Sequence, residues 1–167
     1  MPPREPQPTL KAGRFKISYG ASDDRLHDFY IPALEASVRF DRTTGFFSST
    51  ALAIAAAGIV RLIANGGRMR LLCGAKLSED DVDAVRRGEK LSGVVDRALV
   101  GSLADPSDQS VRARLEALAW LVANDRLEMK VVLPRDQHGL PLPAEQAREY
   151  FHPKEGVFTD CNGDQRG

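Results

Sequence analysis

The sequence predicts an α/β fold, a mixed β-sheet flanked by helices on both faces, and three observations point to it. Val38 to Phe47 and Arg68 to Ala75 are two runs of strand length, the first carrying β-branched and aromatic residues. Between them lies an alanine-rich stretch with Leu52, Ala56, Ile59 and Ile63 at helical spacing. A third strand-like run, Leu127 to Leu133, follows a second helical stretch. Strand, helix and strand at this spacing form a crossover unit, the connection that parallel neighbours require.

Each element has its own signal. Phe15 to Tyr19 reads as a short strand. Ser22 caps a helix over about Asp23 to Ser37, with acids in its first turn and a stripe of Leu26, Phe29, Tyr30 and Leu34; Pro32 kinks or interrupts it. Ser48 or Ser49 caps the alanine-rich helix, and Asn65-Gly66-Gly67 ends it. Ser78-Glu79-Asp80-Asp81 opens another helix, broken at Gly88 and resumed through Leu91, Val94, Val95 and Leu99. Asp105-Pro106-Ser107 begins a further one carrying Val111, Leu115, Leu118 and Val122. Pro134 to Pro143 is a loop, and Tyr150 to Asp160 is the last strand. The ending Gln165-Arg166-Gly167 does not read as a further strand.

With 167 residues, 43% of them hydrophobic and 28% charged, the chain suits one domain with a sizeable core. Residues 14–167 form that domain, and the proline-rich residues 1–13 read as a disordered lead-in. The formal charge is zero, so no global field draws the molecule to nucleic acid or anionic lipid, and any such binding is local. No apolar run reaches the roughly 18 to 20 residues of a membrane span, and no signal peptide opens the chain, so a membrane partner is not expected. Cys73 and Cys161 have neither metal-ligand spacing nor a disulfide framework, which fits a cytoplasmic location, with no cofactor and no metal expected.

The residues that carry chemistry are His152-Pro153-Lys154. Two residues apart in a strand, the imidazole and the ammonium share one face. Histidine forms covalent intermediates in substitution at phosphorus, and a lysine neutralises the non-bridging oxygens. One such charge at about 4 Å is worth roughly 4 kcal/mol at an effective dielectric of 20. Asp160 has two readings of equal weight: an acceptor that orients the imidazole, or a turn former in Asp160-Cys161-Asn162-Gly163-Asp164. Arg42 and Ser48 stand where a strand feeds a helix, a place suited to an anion, although a cap beside two core phenylalanines explains the same residues. His27 and His138 read as polar helix and loop residues, Trp120 as core or interface. Arg61, Arg68, Arg70, Arg86 and Arg87 read as solvated, with a basic edge for DNA as the alternative.

The His-x-Lys signature followed by an acid resembles the phospholipase D superfamily. So do Arg42-Thr43-Thr44-Gly45-Phe46-Phe47-Ser48-Ser49-Thr50-Ala51-Leu52, the glycine-paired strand Gly66 to Ala75, and Leu115 to Val122, which look like segments of such domains at the front of bacterial helicases and in defence or restriction proteins. Five residues separate Lys154 from Asp160 where the family has four. The resemblance implies a metal-independent nuclease acting on DNA ahead of RNA, with His152 as nucleophile, Lys154 binding phosphate and Asp160 in support. It implies a helicase module in the same full-length chain. The family's site pairs two such motifs; one motif here implies a homodimer. A Gly-Ser-x-Asn-like stretch expected after Asp164 is absent, so the domain is expected to be incomplete at its C-terminus. The alternative is a catalytically inactive module of the same fold that binds DNA or a protein; a lipid-hydrolysing enzyme ranks third.

Overall fold

The computed structural model describes residues 8–45, 56–101, 116, 119–147 and 151–167. It is an α/β fold built on a five-stranded mixed sheet. The strands are β1 (Arg39–Thr44), β2 (Arg68–Gly74), β3 (Leu127–Val132), β4 (Gly156–Thr159) and β5 (Gln165–Arg166), in the order β3-β2-β1-β4-β5. β1, β2 and β3 are mutually parallel, whereas β4 runs antiparallel to β1 and β5 antiparallel to β4.

The helices are α1 (Ile31–Glu35), α2 (Ala56–Ala64), α3 (Glu79–Arg86) and α4 (Leu91–Gly101). A π-helical turn, Leu26–Tyr30, leads into α1, and the Ile31 N–H closes it on the Leu26 carbonyl. Pro32 sits in the first turn of α1, where its missing N–H costs nothing, so it divides the expected helix at its π-to-α junction. Ser78 caps α3 with a complete capping box to Asp81. Gly66, at φ +78°, closes the α2-to-β2 turn in the left-handed region. The cap at residues 105–107 lies outside the described residues.

The main core sits between the sheet and α1 and α2. Phe40, Met69, Leu71, Cys73, Leu127 and Phe158 from the strands meet Ala33, Leu34, Ile59 and Leu62 from the helices. A second cluster, Leu77, Val82, Val94 and Val95, joins α3 to α4 and packs on Val131 and Leu133. Phe158 is the hub of an aromatic group: it stacks on Phe40 at 4.4 Å and meets Phe29 and Tyr30 edge-on. Burying a phenylalanine so completely contributes on the order of 1.5–3 kcal/mol.

Five expectations change. The described helices pack on one face of the sheet, not two. Stepping β1 to β2 to β3 moves across the sheet in one direction, and crossovers of one hand then put their helices on the same side. The other face carries Arg39, Asp41, Arg68, Arg70, Glu128 and Lys130. Phe15 to Tyr19 is not a strand; Phe15 and Tyr19 close on the Phe29 ring instead. Within the lead-in, Leu10 is 2% exposed and belongs to the core. Gln165–Arg166 is a strand, paired with Phe158–Thr159. Trp120, in the helical residues 119–123, is half exposed rather than core. No described helix is long and apolar enough to cross a membrane.

Candidate active site

Two glycines end the central parallel strands. Gly74 is the last residue of β2, Gly45 follows β1, and the Gly74 N–H donates to the Gly45 carbonyl at 3.2 Å. Because β1 and β2 are parallel, both glycines lie at the carboxyl edge of the sheet, the edge where α/β folds hold their ligands. Phe151 and His152 cross directly over them. A Cβ placed on Gly45 would lie 2.7 Å from His152 Nδ1, 3.1 Å from the Phe151 carbonyl and 3.2 Å from the His152 Cα. The close approach therefore depends on the residue being glycine.

His152 and Lys154 are both exposed, and both lie in an extended segment before β4 rather than in a strand. The ladder from β4 to β1 ends for two local reasons. Thr43 N–H still donates to the Glu155 carbonyl at 2.9 Å, but the Glu155 N–H is taken by the Thr43 hydroxyl at 3.2 Å. Pro153 has no N–H to offer. The period-two rule that put both side chains on one strand face consequently does not reach residues 152–154.

Asp160 stands beyond the far end of β4, four strand residues from this segment. It is 2% exposed and accepts the N–H groups of Leu10 at 2.9 Å, Asn162 at 2.9 Å and Asp164 at 3.0 Å. Burial pushes its carboxyl up, but the three amides and the nearby Lys11 charge outweigh that and hold it below the ordinary carboxylate range. Of its two readings, the structure shows the turn former. Arg42 points into the helix-covered side, where it donates to the Tyr30 hydroxyl at 2.9 Å and lies over that ring at 5.6 Å. It is thus committed to packing rather than offered to an anion beside His152. Ser48 lies outside the described residues.

Two hollows flank the segment. One, of about 20 Å³, lies between Gly45, Gly74, Val132, Pro134, Ala144 and Phe151, room for about one water. The other, of about 290 Å³, opens on the uncovered face among Thr43, Arg70, Leu72, Lys130, Glu155 and Val157. Neither His152 nor Lys154 lines them. Beside the larger one Asp41 is held by Arg70 through two bonds, at 2.6 and 2.8 Å, and by Arg39. Burial raises its carboxyl, the two guanidiniums lower it further, and the balance brings it down to about 2. Arg70 is therefore an ion-pair partner, as is Arg86 with Asp83. His27 pairs with Asp24 and His138 with Gln137, both local polar contacts. Among the described residues no three of His, Cys, Asp and Glu gather to hold a metal.

Sequence reasoning placed Thr43 and Gly45 in a segment suited to an anion, but missed the Gly45–Gly74 contact under His152 and the bond from Glu155 to the Thr43 hydroxyl. A glycine at the end of each of two predicted strands was the available signal, since strand glycines mark close backbone approach. Comparison of the chain with protein-family models, curated proteins and solved structures returns no match.

Proposed function

We propose that the chain is a phosphodiesterase domain of nuclease type, with His152 as nucleophile and Lys154 as the cation that receives the phosphate. One observation carries this: an exposed imidazole laid over a glycine pair at the carboxyl edge of parallel strands, with an exposed ammonium two residues on. An imidazole nitrogen attacks phosphorus, the P–O bond to the leaving group breaks, and a second, protonated imidazole gives that oxygen its proton. Water then attacks the phosphohistidine, with the now neutral second imidazole taking its proton, and the first histidine is restored. The second imidazole comes from His152 of another copy, which makes the working unit a dimer. DNA ahead of RNA is the substrate class, and a helicase or anti-phage defence protein the setting.

The test is cleavage of end-labelled single-stranded and duplex DNA in the presence of chelator, by the chain and by His152→Asn. Cleavage that survives chelator and disappears in the variant is expected, together with an acid-labile phosphoryl adduct on the protein. Cleavage that needs magnesium, or that His152→Asn leaves intact, refutes the mechanism. A second reading, a noncatalytic module that binds DNA or a protein, is favoured by the commitment of Arg42 and Asp160 to other partners. Binding equal in chain and variant, with no cleavage by either, selects it.

A further inference from the structure

The N-terminal segment makes a contact across nearly the whole length of the chain. The Leu10 N–H donates to Asp160 Oδ2, and the Lys11 ammonium pairs with Asp164 Oδ1 at 2.7 Å. Leu10 itself is buried, and Phe15 continues the contact, under the Arg166 guanidinium at 5.1 Å and against Phe29 at 5.7 Å. All these partners belong to, or pack on, the arm formed by β4, its turn and β5. That arm is joined to the rest of the sheet along one side only, through four residue pairs of β4 with β1. Asp160 is also the point where strap and turn share one carboxylate, since the same side chain accepts Asn162 and Asp164. Losing the Leu10 bond therefore exposes a buried acceptor and loosens the turn together.

We propose that Thr9–Phe15 is a strap whose docking on the Asp160–Asp164 turn holds residues 151–166, and His152 with them, against β1. Its release frees that arm as one unit while β2 and β3 stay paired. Such partial opening is how proteins expose cooperative segments below the global unfolding limit. The strap then regulates the site from the far end of β4: docked, it keeps the imidazole over Gly45; released, it withdraws it. This consequence for catalysis rests on His152 being the nucleophile, whereas the clasp itself does not.

The experiment is hydrogen exchange read by mass spectrometry on the full chain, comparing wild type with Asp160→Asn and Lys11→Glu. Asp160→Asn keeps the shape and replaces one acceptor oxygen with an N–H₂ group. Lys11→Glu sets like charges at an exposed pair and leaves Leu10 in place, so it reports even where Asp160→Asn does not fold. Peptides spanning 151–166 are expected to exchange at least about ten-fold faster in Asp160→Asn and a few-fold faster in Lys11→Glu, with β2 and β3 unchanged. Unchanged exchange in the arm, or equal acceleration in all strands, overturns the proposal. DNA cleavage by the same proteins separates the two ideas: an opened arm with undiminished cleavage sinks the role of His152 and leaves the clasp standing.

Discussion

Replacing Gly45 by alanine separates the position of the imidazole from the stability of the fold. The new Cβ would sit 2.7 Å from His152 Nδ1, and an unstrained contact of about 3.5 Å requires the ring to retreat by roughly 0.8 Å. Its other neighbours, the Phe151 carbonyl at 3.1 Å and the His152 Cα at 3.2 Å, need to give by only a few tenths of an ångström. The His152 side chain is exposed and not part of the core, so the overpacking cost falls at the low end of its range, about 1 kcal/mol. A chain of this size then loses about 2–4 °C in Tm. Displacing a reacting group by about 1 Å costs on the order of 10²-fold in rate. The expected pattern is a nearly intact melting curve beside DNA cleavage reduced about a hundredfold, measured on the same preparation. Cleavage at the wild-type rate would show that the placement of the imidazole over Gly45 has nothing to do with the chemistry.

The companion change, Gly74→Ala, should behave in the opposite sense. Its Cβ meets the Gly45 carbonyl oxygen, main chain that cannot rotate away, so a loss of about 2–3 kcal/mol is expected from urea denaturation, more than for Gly45→Ala. Phe158→Ala removes the 1%-exposed hub of the aromatic group and should cost about 3–5 kcal/mol; a loss under 1 kcal/mol would mean that the hub is not core. Acid should weaken the fold through Asp41. Its folded-state carboxyl lies at about 2, below the 3.8 of a free aspartate, so its contribution is complete above about pH 4 and drains away as pH falls toward 2. Discounted for its partial exposure, that contribution is on the order of 1 kcal/mol, and Asp41→Asn should flatten the acid limb of a urea-midpoint profile. A thiol reagent should label Cys161 at once and Cys73 slowly, because Cys73 is fully buried and burial raises its thiol pKa; two equal rates would contradict the packing of β2.

The three parallel strands, the capped α3 and the break at Gly88 were all legible, because each rests on a local signal that tertiary packing had no reason to override. Phe15 to Tyr19 failed for the complementary reason. Its alternating aromatics fit a strand as well as a segment folded onto the Phe29 ring, and which one forms depends on Phe29, distant enough in sequence that no local pattern includes it. Gln165–Arg166 was illegible because two residues carry no periodicity at all; their strand exists only because β4 lies alongside. At the site, the residue types of His152 and Lys154 were readable but not their conformation. Pro153 and the Thr43 hydroxyl end the ladder before it reaches them, and the second of these sits 112 residues away from Glu155. For Asp160 the turn signal and the orienting role weighed equally in sequence, and Leu10, 150 residues away, is what the structure adds to the first.

The uncovered face was in fact written into β2. A parallel strand buried on both faces reads as a continuous apolar run, whereas Arg68 and Arg70 alternate with Met69, Leu71 and Cys73. That alternation belongs to a strand with one wet face, and burial along β2 follows it, exposed at Arg68 and Arg70, buried at Met69, Leu71 and Cys73, and half-buried at Leu72. Most of the charges on this face are paired with one another: Asp41 takes Arg39 and Arg70, and Glu128 takes Lys130, while Arg68 adds a further cation. Three of its four cations are engaged in ion pairs, and among the described residues it carries no aromatic side chain on which a base could stack. The proposed function puts substrate contact at the carboxyl edge, where His152 and Lys154 stand exposed, and not on this face. Charge reversal at Lys130 should accordingly leave DNA cleavage unchanged, while Lys154→Glu should abolish it.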